Sequence, residues 1–209
     1  MVNLLIILLL IILMSLILLL LPDKIAVMLV EENGPIENAQ VIFYMAGAII
    51  SWVYAKKRIW NSGLKGGFIL MLLALRELDL QKRFTDISIT RTKFYFSPDI
   101  AILTKIAGGI IVIGILFVVI TFITSNARIL FRSVKNRENW AIFTFTGIIL
   151  LPVATIIDGS LRFLKALGIQ TGENAYLTKT IFEETVELAI PVLFLVALLH
   201  WRKVAGKIV

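Results

Sequence analysis

Residues Asn3–Leu21 read NLLIILLLIILMSLILLLL, a run without a single charge. An α-helix rises 1.5 Å per residue, so about 20 apolar residues cross a hydrocarbon core roughly 30 Å thick. This run has that length. It lacks a basic start and a small-residue cleavage site, so it reads as a retained span and not as a cleaved signal. Leu and Ile come in blocks and do not alternate with polar residues, which excludes the strand pattern of a membrane barrel. Helices are then the remaining way to satisfy backbone polar groups in lipid.

The same reading extends outward along the chain. Spans are expected at about residues 3–21, 36–55, 66–83, 99–124, 140–157 and 181–201, with an interfacial helix at about 159–167. The expected fold is all-α: a polytopic transmembrane helical bundle of about six helices, forming one integral membrane domain over residues 1–209. Composition agrees, because 59% of residues are apolar and only 17% charged, too few charges to cover a soluble domain of 209 residues. No internal repeat or low-complexity linker interrupts it.

Local signals set the expected boundaries. Gly34 followed by Pro35, with Glu37 two residues later, marks a helix start. Pro22–Pro35 reads as a short acidic connection, and Lys82–Pro98 as a polar, extended or interfacial stretch. Ser97 as N-cap and Pro98 at the first helical position open the 99–124 span, and a basic loop with Arg128, Arg132, Lys135 and Arg137 follows it. Pro152 bends the 140–157 span. In the interfacial helix Leu161, Phe163, Leu164 and Leu167 face lipid, and Gly168 ends it. Thr180-Ile181-Phe182-Glu183 fits a capping box at the start of the last span, with Glu184 in its first turn.

Charge sets the orientation. With both termini cytoplasmic, Lys56, Lys57, Arg58, Lys65, Arg128, Arg132, Lys135, Arg137, Arg202, Lys203 and Lys207 lie inside with one acid, Glu138. The thirteen other carboxylates fall outside or in outer helix halves. Concentration of Lys and Arg in short inner loops is the topological signal, and a bacterial inner (plasma) membrane is the expected location. The net charge of +7 flanks apolar segments, so it points to a lipid bilayer and not to nucleic acid.

Charged residues within spans are costly and are candidates for function. Helical rise puts Arg76, Glu77 and Asp79 at about 16, 18 and 21 Å from the inner boundary, and Glu187, counted back from Arg202, at about 22 Å. The four share a layer in the outer half. Arg76 and Asp79 share one helix face with Arg83, and Glu77 points about 100° from Arg76. Arg76 is expected to pair with Glu187 or Asp79. Such a layer either fixes helix register or forms a site for a substrate, proton or cation. A possible outer rim comprises Glu31, Glu32, Glu37, Asp158, Arg162, Glu183 and Glu184, because EENGPIEN, RELD, DGSLR and FEETVE bring carboxylates to the outer ends of four helices. Capping accounts for Glu37 and Glu183. Asp158 either caps the surface helix, with Arg162 as partner, or lines the rim.

The absence of cysteine excludes disulfides, thiolate nucleophiles and Cys-ligated metals. The lone histidine, His200, sits at the inner end beside Trp201 and suits interfacial anchoring, which argues against His-rich metal sites and a Ser-His-Asp triad. No P-loop, dinucleotide fingerprint or haem-ligand pair occurs. The cofactor is unknown, and a hard-cation site built only of carboxylates stays open. Gly47 with Ser51, and Gly108, Gly109 and Gly114, suit close helix packing. The sequence assigns no specific activity. The leading expectation is a non-enzymatic subunit or accessory protein of a membrane complex, with other membrane subunits as partners. The alternatives are a small cation- or proton-coupled transporter or channel, and an intramembrane enzyme acting on a lipid at the outer leaflet.

Overall fold

Long apolar blocks without β-branched alternation fold as helices throughout the computed structural model, which describes residues 2–78, 89, 91–169 and 172–205. In chain order these are α1 (Val2–Leu20), α2 (Asp23–Val30), α3 (Pro35–Lys56), α4 (Gly63–Glu77), α5 (Thr92–Phe96), α6 (Ile102–Lys135), α7 (Asn139–Ala166) and α8 (Glu173–Ala205). No strand occurs among the described residues. Three stretches are long and apolar enough to cross a membrane: 23–56, which joins α2 and α3, then α6 and α7. A shorter apolar stretch, Leu4–Leu20, lies in α1. The expected six spans thus reduce to three on length and composition. In α8, 33 residues long, Glu183, Glu184 and Glu187 interrupt the apolar pattern.

Several boundaries differ from the expectation, each for a physical reason. The connection 22–35 is largely helical, because Ile25 and Ala26 donate to Pro22 O and start a turn that continues to Val30. Ser97 ends α5 and does not open the next helix. Its hydroxyl accepts from Asp99 N–H at 3.4 Å, and α6 begins only at Ile102. Of the basic loop, Arg128, Arg132 and Lys135 lie in the last turns of α6, where Lys and Arg suit a helix C-terminus, and Arg137 lies just past its end. The interfacial helix 159–167 is not separate, since α7 runs unbroken through Asp158 and Gly159 to Ala166. Asp158 therefore caps nothing. Thr180 lies inside α8, seven residues past its first residue, so the capping box at Thr180–Glu183 does not form. Pro152 and Pro191 sit inside α7 and α8 without ending them.

Three helices end in the same way. Gly168 (φ +79°) donates to Lys165 O and Ile169 to Leu164 O, the paired bonds of a Schellman motif. Arg58 (φ +56°) and Arg137 (φ +60°) close α3 and α6 with the same pair of bonds, although neither is glycine.

The core is a layer of α3, α4, α7 and α8. Tyr44, Ala48, Tyr54, Leu70, Ala74, Ala154, Ile190 and Leu198 form its main cluster. Helices α3 and α4 approach closely, because Gly63 and Gly67 face Ser51, Ala55, Ala48 and Trp52. Helix α1 lies against α8 through Leu18 and Ile181 at one end and Leu4, Ile7 and Ala197 at the other. Between them a buried Ser15–Thr185 hydroxyl pair meets at 2.8 Å. Helix α6 is peripheral. It meets the α3–α4 connection where Trp60 packs edge-on against Phe122, and α7 where Phe131 packs against Phe145.

These contacts give the bundle two unlike ends. At one, Trp60, Trp140 and Trp201 form a chain of ring contacts (6.4 Å for Trp60–Trp201, 4.6 Å for Trp140–Trp201), surrounded by exposed Lys56, Lys57, Arg58, Lys65, Arg128, Arg132, Lys135, Arg137 and Arg202. Glu138, which accepts from Trp140 Nε1 at 2.6 Å, lies at this end too, while Glu37, Glu77, Asp158, Glu183, Glu184 and Glu187 lie toward the other.

Candidate functional site

The acidic end is organised by the first turns of α3 and α8 and the last turns of α4 and α7. Helix α3 starts with Gly34 as N-cap and Pro35 next, where a missing N–H costs nothing. Glu37 Oε2 accepts from Asn33 N–H, and Asn38 Nδ2 donates to Asn33 O and Gly34 O, both at 2.9 Å. Glu37 is thus used in holding the turn, where Asn33 has φ +63°. Glu31 and Glu32 are exposed at the end of α2. One turn into α3, Gln40 is fully buried, and its Nε2 donates to Glu184 Oε2 at 3.0 Å and to Glu184 O at 3.4 Å. The next turn places Tyr44, also buried, within electrostatic reach of Arg76, Glu77 and Glu187.

Two ionic groups flank the Gln40–Glu184 pair. In the deeper one Arg76 Nη2 donates to Glu187 Oε1 at 3.1 Å, and Arg76 Nε lies 3.8 Å from Glu77 Oε1. Both carboxylates are mostly buried while the Arg76 side chain is half-exposed. In the shallower one Asp158 accepts from Arg162 at 2.8 Å and from Lys179 at 2.9 Å, and Lys179 also reaches Glu183 at 2.5 Å. Lys179 lies one turn before Glu183 on α8, so the long start of that helix supplies the cation that its acids need.

Of the residues read from sequence, the structure brings together Arg76, Glu77 and Glu187, and separately Asp158, Arg162 and Glu183. Asp79 lies outside the described residues, as does Arg83. Glu184 is unlike the rest. Among the described residues no cation lies within ion-pair distance of it. Sequence reading missed Gln40, Tyr44 and Lys179. Gln40 and Tyr44 had one available signal: with Gly47, Ala48 and Ser51 they form a single face at three- and four-residue spacing.

No grouping of three or more His, Asp or Glu that could hold a metal ion occurs among the described residues. His200 is at the opposite end, its Nδ1 2.9 Å from Val196 O and its ring against Phe143. A cavity of about 150 Å³ lies between α1, α2 and α8, lined by Leu18, Asp23, Asn174, Thr178 and Ile181. None of the layer residues lines it. No known protein family, curated protein or solved structure matches the chain.

Proposed function

We propose that the protein is a non-enzymatic subunit or accessory protein of a membrane assembly, crossing a bacterial inner membrane about six times with both termini cytoplasmic. The observation that carries this reading is α6. It is 34 residues long, little of its apolar stretch is buried, and exposed residues such as Leu103, Ile111, Ile113, Leu116 and Ile123 lie around much of its circumference. A lipid-facing helix of a self-sufficient bundle buries a stripe against its neighbours. Helix α6 has contacts with its own chain at a few points only, which suits a helix that seats against another subunit. The six-crossing topology draws support from direction: α1, α3, α4, α6, α7 and α8 run alternately between the tryptophan-rich end and the acidic end. The exposed cations around that tryptophan-rich end support placing it in the cytoplasm.

An enzymatic reading needs two carboxylates with divided acid and base roles. Glu77 and Glu187 instead share one guanidinium, an arrangement suited to fixing helix register. Site-specific photo-crosslinking in native membranes tests the subunit reading. A photoreactive residue at Ile113 should give one discrete protein adduct, and one at Ile149 on α7 should serve as the comparison. Lipid adducts alone at several α6 positions would refute it.

A further inference from the structure

We infer that Gln40 and Glu184 form a binding site for a primary ammonium group. The Gln40 side chain is fully buried, and its Oε1 has no hydrogen-bond donor among the described residues. A buried amide oxygen without a donor is costly, so native structures almost always supply one. The amide cannot be turned over to cure this. Its Nε2 faces a backbone carbonyl and a carboxylate oxygen, both acceptors, and Oε1 in that place would meet acceptor with acceptor.

The second need is charge. Arg76 serves Glu187 and Glu77, Lys179 serves Asp158 and Glu183, and Arg162 serves Asp158, yet among the described residues Glu184 receives only the neutral Gln40 amide. One ligand group meets both needs if it is cationic and carries N–H donors. A hard divalent cation would want six or more oxygens, and among the described residues no set of three carboxylates converges here. A quaternary ammonium has no N–H for Gln40 Oε1. A water could donate to that oxygen but would bring Glu184 no cation. A primary ammonium offers three donors on a compact charge, enough for Gln40 Oε1 and the Glu184 carboxylate with one to spare. Two sources carry that group: the headgroup of phosphatidylethanolamine, and a soluble amine reaching the acidic end from water.

The test uses the purified full-length chain in mild detergent. Native mass spectrometry compares retention of phosphatidylethanolamine and phosphatidylcholine with identical acyl chains. Thermal unfolding followed by circular dichroism compares ethanolamine with tetramethylammonium. Retention of phosphatidylethanolamine about tenfold above phosphatidylcholine is expected, the preference one charge-assisted hydrogen bond supplies. That preference should vanish in Glu184→Gln, a change that keeps the side chain's shape, and in Gln40→Leu. A rise in the unfolding midpoint with ethanolamine, absent with tetramethylammonium and lost in Glu184→Gln, would instead identify the soluble source. Equal retention of the two lipids with no ethanolamine effect would overturn the assignment, as would a preference unchanged by Glu184→Gln. Should Gln40→Leu fail to fold, the wild-type lipid comparison and Glu184→Gln still decide the matter.

Discussion

Replacing Gly63 with alanine should separate α3 from α4. A Cβ at Gly63 would lie 2.5 Å from the backbone oxygen of Ser51 and 3.1 Å from both the nitrogen and Cβ of Ala55. Carbon and carbonyl oxygen tolerate approach only to roughly 3.3 Å, so the helices must part by about 0.8 Å. The obstructing atoms belong to the α3 backbone and cannot rotate away. Overpacking of this kind costs about 1–3 kcal/mol. The same substitution at Gly114, where nothing lies within 4 Å, should gain about 0.5–1 kcal/mol from helix propensity alone. Stability is read by sodium dodecyl sulfate titration from mild detergent micelles, followed by circular dichroism. Gly63→Ala as stable as Gly114→Ala would refute the close α3–α4 seam.

Other expectations follow from the same geometry. A double-mutant cycle on Arg76→Leu and Glu187→Leu should give a coupling of about 0.5–3 kcal/mol, because the two groups are in direct contact; additive effects in the same titration would deny the pair. The Ser15→Ala and Thr185→Val cycle should show only about 0.6 kcal/mol, the typical coupling between hydrogen-bonded helices in a membrane, since the two hydroxyl protons are shared between the pair and the carbonyls of Ile11 and Ile181. Arg137→Gly should stabilise the α6–α7 turn by about 1 kcal/mol, because a non-glycine residue at φ +60° is disfavoured; a loss of stability would show that the arginine side chain matters more than its backbone. The chain has no cysteine, so single cysteines at Lys57 and Lys165 can be labelled selectively. An impermeant maleimide on intact cells should modify the second and not the first, and the reverse pattern would invert the proposed topology.

What sequence could disclose divides along physical lines. Helix identity and the Gly34–Pro35 start were legible because they depend on hydropathy and on one or two residues acting locally. The αL residue at Gly168 was legible for the same reason. The break expected at Asp158–Gly159 was not, because local turn chemistry lost to tertiary contacts: Lys179, 21 residues away, reaches back to Asp158 and holds α7 through that point. The start of α8 was obscured by Thr180 and Glu183, which match a capping pattern although the helix had begun at Glu173. At the site, the shared depth of Arg76 and Glu187 followed from helical rise, which is insensitive to packing detail. Gln40 and Tyr44 are uncharged, so a search for charges in spans passed over them. Their significance lies in which helix they face, and no single sequence prints that. The close-packing glycines were half-legible: Ser51 does meet a neighbour, but the partner surface is Gly63 and Gly67, while Gly108 receives Phe94 of α5 and Gly114 faces open space.

All four tryptophans, Trp52, Trp60, Trp140 and Trp201, sit toward the end of the bundle that carries the basic residues. The intrinsic fluorescence of this protein is therefore a single-depth optical probe. Brominated lipids should quench it strongly when the bromine lies near the headgroup and weakly when it lies at the bilayer centre. Rings 4.6 and 6.4 Å apart also exchange excitation, so the three tryptophans in that chain of contacts should emit with lowered anisotropy, as one coupled chromophore. A binding event around Glu184, at the far end, changes that emission only if a helix moves as a rigid lever. The dye-free spectrum thereby separates local occupancy from a motion that crosses the whole bundle.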